Sequence, residues 1–299
     1  MNNSKILLVV IDPTVLRDHV VERAKLLATS SNAKVELFIN CHGIDGQKVY
    51  FAPNSAKPSD LNKGGLEDCL LDAIKAEFSE LGIVLTTHLC DLKNVAQSII
   101  DRANGLAPDL VLKSTHKHSA LKQTLLTNTD WQLIRSCPAP LLLVKPQAWY
   151  KAGNIVAAVD PLHSKSDQFK LNDALIGAAE NLAHEANQIP SVFHAYYPPN
   201  SAAVGMLPET AQNNEQKKQR NQKMYELLAK HSIDPEQVNI ARGDVHRELL
   251  SHLEGTHSNV LVIGALSRNR LERLVVGSTA EKILDSAPCD LLVLKKGSG

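Results

Sequence analysis

The sequence predicts an α/β protein made of two tandem units, each an open five-stranded parallel sheet with helices on both faces. Short Val/Leu/Ile runs alternate with stretches whose apolar residues recur at helical spacing, as in Val15, Leu16, Val20, Ala24, Leu27 and Ala28. The runs are nearly continuous rather than alternating, which suits strands buried on both faces. The whole pattern also occurs twice. Ile6–Pro13 is echoed by Ile155–Pro161, and Cys137–Lys145 by Ala287–Lys295.

In the first copy the strands are read at Lys5–Ile11, Val35–Cys41, Ile83–Leu89, Leu110–Lys113 and Leu141–Lys145. Leu66, Cys69, Leu70, Ala73, Ile74 and Phe78 stripe a second helix, and Val95–Ala103 and Asn128–Ser136 are read as the last two. In the second copy the strands are Asn154–Val159, Ser191–Tyr197, Gln237–Arg242, Val260–Gly264 and Leu291–Lys295. Ala174, Leu175, Ala178, Ala179, Leu182 and Ala183 stripe its first helix. The domains are expected at residues 1–146 and 153–296, joined through the segment Pro146–Gly153. The connections His42–Gly65 and Pro198–Asn214 are long and rich in turn residues. Tyr196, Tyr197, Val204, Met206 and Leu207 make the second partly apolar, suited to cover a crevice or to pack on their own domain.

Composition narrows the function. Lys and Arg number 32, as do Asp and Glu, so the basic excess of a dedicated nucleic-acid binder or polybasic membrane binder is absent. Neither nucleic acid nor membrane is expected as a partner. No apolar run is long enough to span a bilayer, and Ile6–Ile11 is too short for an export signal. The five cysteines are scattered and form no Cys-x-x-Cys pair, which fits a reducing, cytoplasmic location.

Ligands of such sheets sit at the carboxyl ends of the strands, where the strand order reverses. The first strand of each copy ends in Asp-Pro, at Asp12 and Asp160. A carboxylate there suits a ribose hydroxyl or an adenine amino group, and it equally suits capping the loop that follows. After the fourth strand of the second copy comes Gly264-Ala-Leu-Ser267-Arg268, and then Gly277-Ser278-Thr279-Ala-Glu281. A glycine loop feeding a helix N-terminus offers free backbone N–H groups and a positive dipole end, both suited to phosphate. Ser278 and Thr279 add hydroxyls, and Arg268, Arg270 and Arg273 add cations. The plain alternative is a capped helix after a solvated basic loop. No Walker A sequence, nucleophile elbow or His-Glu-x-x-His motif is present, and no catalytic residue is assigned. His116 and His118 form a His-x-His pair without a third ligand nearby, so no metal is expected.

The loop of the second copy resembles that of the nucleotide-binding universal stress proteins, which carry Gly-x-x-Gly, nine residues, then Gly-Ser/Thr. Gly264, Ser267, Gly277 and Ser278 stand at those positions, with Ser replacing the second glycine. The resemblance implies the strand order 3-2-1-4-5 in each half. It implies ATP as the ligand of the second domain, with Asp160 on the adenosine, Gly264 and Ser267 near the phosphates, and Gly277 and Ser278 on ribose and phosphate. The corresponding stretch of the first copy, Lys113-Ser-Thr-His116-Lys117-His118 through Thr127, lacks the glycines, with Lys113 and His116 where the loop glycines would stand, and is aligned with one inserted residue. It resembles the tandem E class of the family. Asp12, Lys113, His116 and His118 are then candidates for a different anionic ligand. The resemblance further implies survival of stress, including DNA damage. Any catalysis would be weak ATP hydrolysis by the second domain. The alternative is a scaffold for another ligand, including an apolar one. The last strands, Leu141–Lys145 and Leu291–Lys295, are expected to pair, making the chain an internal pseudo-dimer.

Overall fold

The computed structural model describes residues 4–12, 19–40, 42, 72, 74–115, 126–162, 166–197, 211–265 and 278–295. The chain divides into two compact units, Met1–Ala148 and Trp149–Gly299.

The first unit contains β1 (Ile6–Ile11), α1 (His19–Ser31), β2 (Lys34–Asn40), helical residues 74–80 (α2) and β3 (Leu85–Cys90). Then come α3 (Val95–Leu106), β4 (Leu110–Ser114), α4 (Asn128–Ser136) and β5 (Leu141–Val144). Its strands are all parallel and run in the order β3-β2-β1-β4-β5. The second unit contains β6 (Asn154–Ala158), α5 (Ser166–Ala186), β7 (Ile189–Tyr196), α6 (Ala211–Leu228) and β8 (Val238–Arg242). Then come α7 (Val245–Gly255), β9 (Ser258–Ala265), α8 (Ser278–Ser286) and β10 (Asp290–Lys295). It repeats the topology as β8-β7-β6-β9-β10, again all parallel. Each half therefore has the order 3-2-1-4-5 that the resemblance implies.

The residue pattern follows from position in the sheet. Leu7 to Ile11 of β1 and all of β5 are buried, because helices cover both faces. Strands β3 and β8, each at one end of its unit's sheet, contain no fully buried residue, and their sequences Leu-Thr-Thr-His-Leu-Cys and Val-Asn-Ile-Ala-Arg are correspondingly more polar. Asn94, Thr127 and Asp244 each accept a hydrogen bond from a backbone N–H in the first turn of α3, α4 and α7. Glu36 on β2 is 5% exposed and accepts from both Nε and Nη2 of the Arg102 guanidinium on α3, tying a helix to the sheet.

The start of the second unit is fastened by a polar knot. Asn259, at the foot of β9, accepts from Tyr150 N at 2.8 Å and donates to Tyr150 O and Gln188 Oε1, both at 2.8 Å. Gln188 Oε1 also accepts from Gly153 N at 2.8 Å. A Cβ on Gly153 would overlap the Asn259 amide and lie 2.8 Å from the His257 carbonyl oxygen. Gly153→Ala is therefore expected to destabilise the protein by about 2–3 kcal/mol, through overpacking and lost buried hydrogen bonds. A urea unfolding midpoint equal to that of the wild type would refute this account of Gly153.

Candidate functional site

In the second unit, β6 and β9 are neighbours although two strands intervene in sequence, so the strand order reverses between them. A cavity of about 260 Å³ opens there. Asp160, Gly264 and Thr279 all line it, so three residues far apart in sequence share one wall system. Asp160 follows the end of β6, Gly264 lies in the last residues of β9, and Thr279 belongs to the first turn of α8. Ser278 and Thr279 are exposed at that helix start. Ser267, Arg268 and Gly277, which the sequence also nominates, lie outside the described residues, as do His116 and His118.

Asn172 of α5, 2% exposed, holds the Asp160 backbone from both sides. Its Oδ1 accepts from Asp160 N at 3.2 Å and its Nδ2 donates to Asp160 O at 2.8 Å. Asp160 Oδ1 accepts from Leu162 N at 3.3 Å, a local turn contact. The carboxylate is exposed, and its backbone is fixed by a buried amide. Gly264 has a packing reason to be glycine as well. A Cβ there would come within 2.7 Å of Leu171 Cδ2, so α5 sits directly against β9 at this point.

The rest of the cavity was not legible as a site. Leu171, Leu175, Phe193, Val245, Leu249, Ile263 and Ile283 give it apolar walls. Only His194, a polar residue inside the buried strand Ser-Val-Phe-His-Ala-Tyr, carried a signal. It is 3% exposed, and its Nδ1 lies 3.0 Å from Val159 O, a carbonyl to which it donates. Burial pushes the His194 pKa below the ordinary histidine value, and the nearby Arg220 charge adds to this; the Val159 hydrogen bond and the Asp160 charge oppose it. Burial likewise lowers His252. A histidine depressed in the folded state contributes stability that is present above its unfolded pKa, about 6.5, and is lost as the pH falls below it. The second unit should therefore melt at progressively lower temperature from pH 7 to pH 5. His194→Asn, which keeps a donor toward Val159, should flatten that decline, and an unchanged slope would contradict this role for His194.

The first unit builds the corresponding place differently. Val111 pairs with Leu141 between β4 and β5, as Leu261 pairs with Leu291 between β9 and β10. This register makes Lys113 the counterpart of Ile263, and Ser114 the counterpart of Gly264. The inserted residue of the sequence alignment disappears, and Thr127 stands where the second copy has Gly277. Lys113 Nζ donates to Asp130 Oδ1 at 2.8 Å and to Ser114 O at 2.8 Å. Asp130 is fully buried, and its counterpart is Ala280. Where the second unit has Ile263 and Ala280 lining a cavity, the first has an ion pair. Asp12 follows β1 as Asp160 follows β6.

Among the described residues no three His, Cys, Asp or Glu side chains form a metal-binding group, and no helix is long and apolar enough to cross a membrane.

Comparison with known proteins agrees with the repeat. The sequence profile of the Universal stress protein family matches residues 3–145 and again 152–295. Universal stress protein E of Photorhabdus laumondii is 27% identical over 303 residues, covering 99% of this chain and 96% of that protein. Universal stress protein E of Escherichia coli K12 is 30% identical over 206 residues, 67% of this chain and 64% of that protein. The crystal structure of a functionally unknown protein from Pseudomonas aeruginosa PAO1 superposes with a TM-score of 0.77 at 25% identity, covering 98% of this chain and 93% of that one. Two domain matches spanning nearly the whole chain, with full-length E-class relatives, place this chain in the Universal stress protein family as a tandem member of the E class.

Proposed function

We propose that the second unit binds an adenine nucleotide, ATP, across the β6–β9 crevice, and that the protein uses this binding in survival of stress, including DNA damage. The observation that supports this most is the convergence of Asp160, Gly264 and Thr279 on one cavity at the N-terminus of α8. Asp160 would take a ribose hydroxyl or the adenine amino group. The backbone at Gly264, the first N–H groups of α8 and the hydroxyls of Ser278 and Thr279 would receive phosphate, with Ser267, Arg268 and Gly277 completing the loop. The cavity is below the roughly 300–1,000 Å³ of clefts for drug-sized ligands, so it suits a base or sugar with the phosphates outside it. We assign no catalytic base among the described residues of the crevice, and any hydrolysis there would be slow. The five scattered cysteines, which form no Cys-x-x-Cys pair, support a cytoplasmic location.

In the first unit, Asp12, with Lys113, His116 and His118, remains proposed for a different anion, with Lys113 already engaged by Asp130. Pairing of the two copies along their last strands belongs to the same proposal and rests on the sequence argument; disulfide crosslinking of cysteines introduced in both strands tests it. The apolar walls favour one second reading, a scaffold whose ligand carries an apolar group. Native mass spectrometry of the full chain after incubation with ATP separates the two. One ATP per chain is expected, and an unliganded chain at millimolar ATP would reject the nucleotide reading.

A further inference from the structure

Arg220 on α6 is 5% exposed, and its guanidinium lies 3.7 Å over the ring of Tyr196. Its Nε is buried without a hydrogen-bond partner, and among the described residues no carboxylate forms an ion pair with it. Glu226, on the same helix, instead accepts from Gln222 Nε2 at 3.1 Å. A buried arginine is ordinarily paired, because desolvating a lone cation costs more than a ring face returns. Tyr196 and His194 project from the same face of β7, with ring centroids 6.4 Å apart and planes at 15°. His194 Nε2 is also buried without a partner, and His194 lines the β6–β9 cavity. Two nearly buried side chains with unpartnered nitrogens thus stand at the carboxyl end of β7, where sheets of this kind receive ligands.

We propose that Arg220, braced flat against Tyr196, binds the oxyanion of a small molecule, a carboxylate or a phosphoryl group, at the end of β7. Stacking occupies one face of the guanidinium and leaves its edge, a planar fork of N–H donors, to match two oxygens at once. His194, stacked beside Tyr196, also lines the cavity, so the two places adjoin. The site is separate from the N-terminus of α8, and it stands or falls independently of ATP binding there.

The test is thermal unfolding of the full chain in sodium phosphate, sodium acetate and sodium chloride at equal ionic strength. The wild type should melt about 2–4 °C higher in at least one oxyanion than in chloride. Phosphate acting alone identifies a phosphoryl ligand, and acetate acting alone a carboxylate. Arg220→Met, which keeps the packing on Tyr196, should lose that increment while melting no lower than the wild type in chloride. Arg220→Lys keeps the charge without the fork and should keep only part of it. General salt effects on stability act on all three proteins alike and cancel in the comparison. No increment in the wild type, or an equal increment in Arg220→Met, overturns the proposal.

Discussion

Asp130→Ala is expected to lower the unfolding free energy of the first unit by about 3–5 kcal/mol, a large effect for one exchange. Asp130 is fully buried. Its Oδ2 accepts from Thr127 N at 2.7 Å and from Thr127 Oγ1 at 2.8 Å, closing the capping box of α4. Its Oδ1 accepts from Lys113 Nζ, whose side chain is 12% exposed. Alanine removes the N3 half of the capping box, while Thr127 Oγ1 can still accept from the backbone N–H of residue 130, and it leaves the Lys113 ammonium buried without its carboxylate. The second exchange follows from the repeat. Lys113→Ile together with Asp130→Ala installs the residues found at Ile263 and Ala280, removes both charges, and should recover most of the loss. Urea unfolding of the single and double variants checks this. A double variant as unstable as the sum of its parts would show that the ion pair is not the source of the effect.

The first and fourth strands of each copy were legible because burial on both faces demands uninterrupted Val and Leu, as in Leu7–Ile11 and Val260–Ile263. The edge strand β3 begins at Leu85 rather than Ile83, since an edge alternates polar and apolar residues and its limits are weakly marked. The start of α6 at Ala211 falls inside the connection expected to end at Asn214, because Ala-Gln-Asn-Asn-Glu-Gln-Lys-Lys has no apolar stripe. Asp160, Gly264 and Thr279 were legible through position at strand ends and helix starts. The cavity walls and the Asn172 clamp were not, because Leu171 and Asn172 look like any residues of a helix until α5 packs against β9. Lys113 read as a free cation in an anion loop. Its partner lies on another element, and only the strand register shows that Asp130 stands where the second unit has Ala280. The stack of Arg220 on Tyr196 joins residues of two different elements at no regular spacing and leaves no pattern in the sequence.

The asymmetry between the units predicts which of them takes the proposed ATP. The cavity around Asp160 is bounded by Ile263 and Ala280, and in the first unit Lys113 and Asp130 occupy those positions as an ion pair. Thr127 and Ser114 replace the glycines that let a backbone approach phosphate closely, so side chains there keep the backbone N–H groups farther from a phosphate. Charge-assisted contacts are worth about 1.5–3 kcal/mol each, so losing two lowers affinity by at least about a hundredfold. In the second unit, Asp160→Ala removes a carboxylate whose backbone Asn172 holds in place, and it should weaken binding at least about tenfold.

Calorimetric titration of ATP into the full chain, its Asp160→Ala variant and its Asp12→Ala variant tests this most directly. One site is expected in the wild type, weakened or lost in Asp160→Ala and unchanged in Asp12→Ala. Two equal sites, or loss with Asp12→Ala alone, would contradict it.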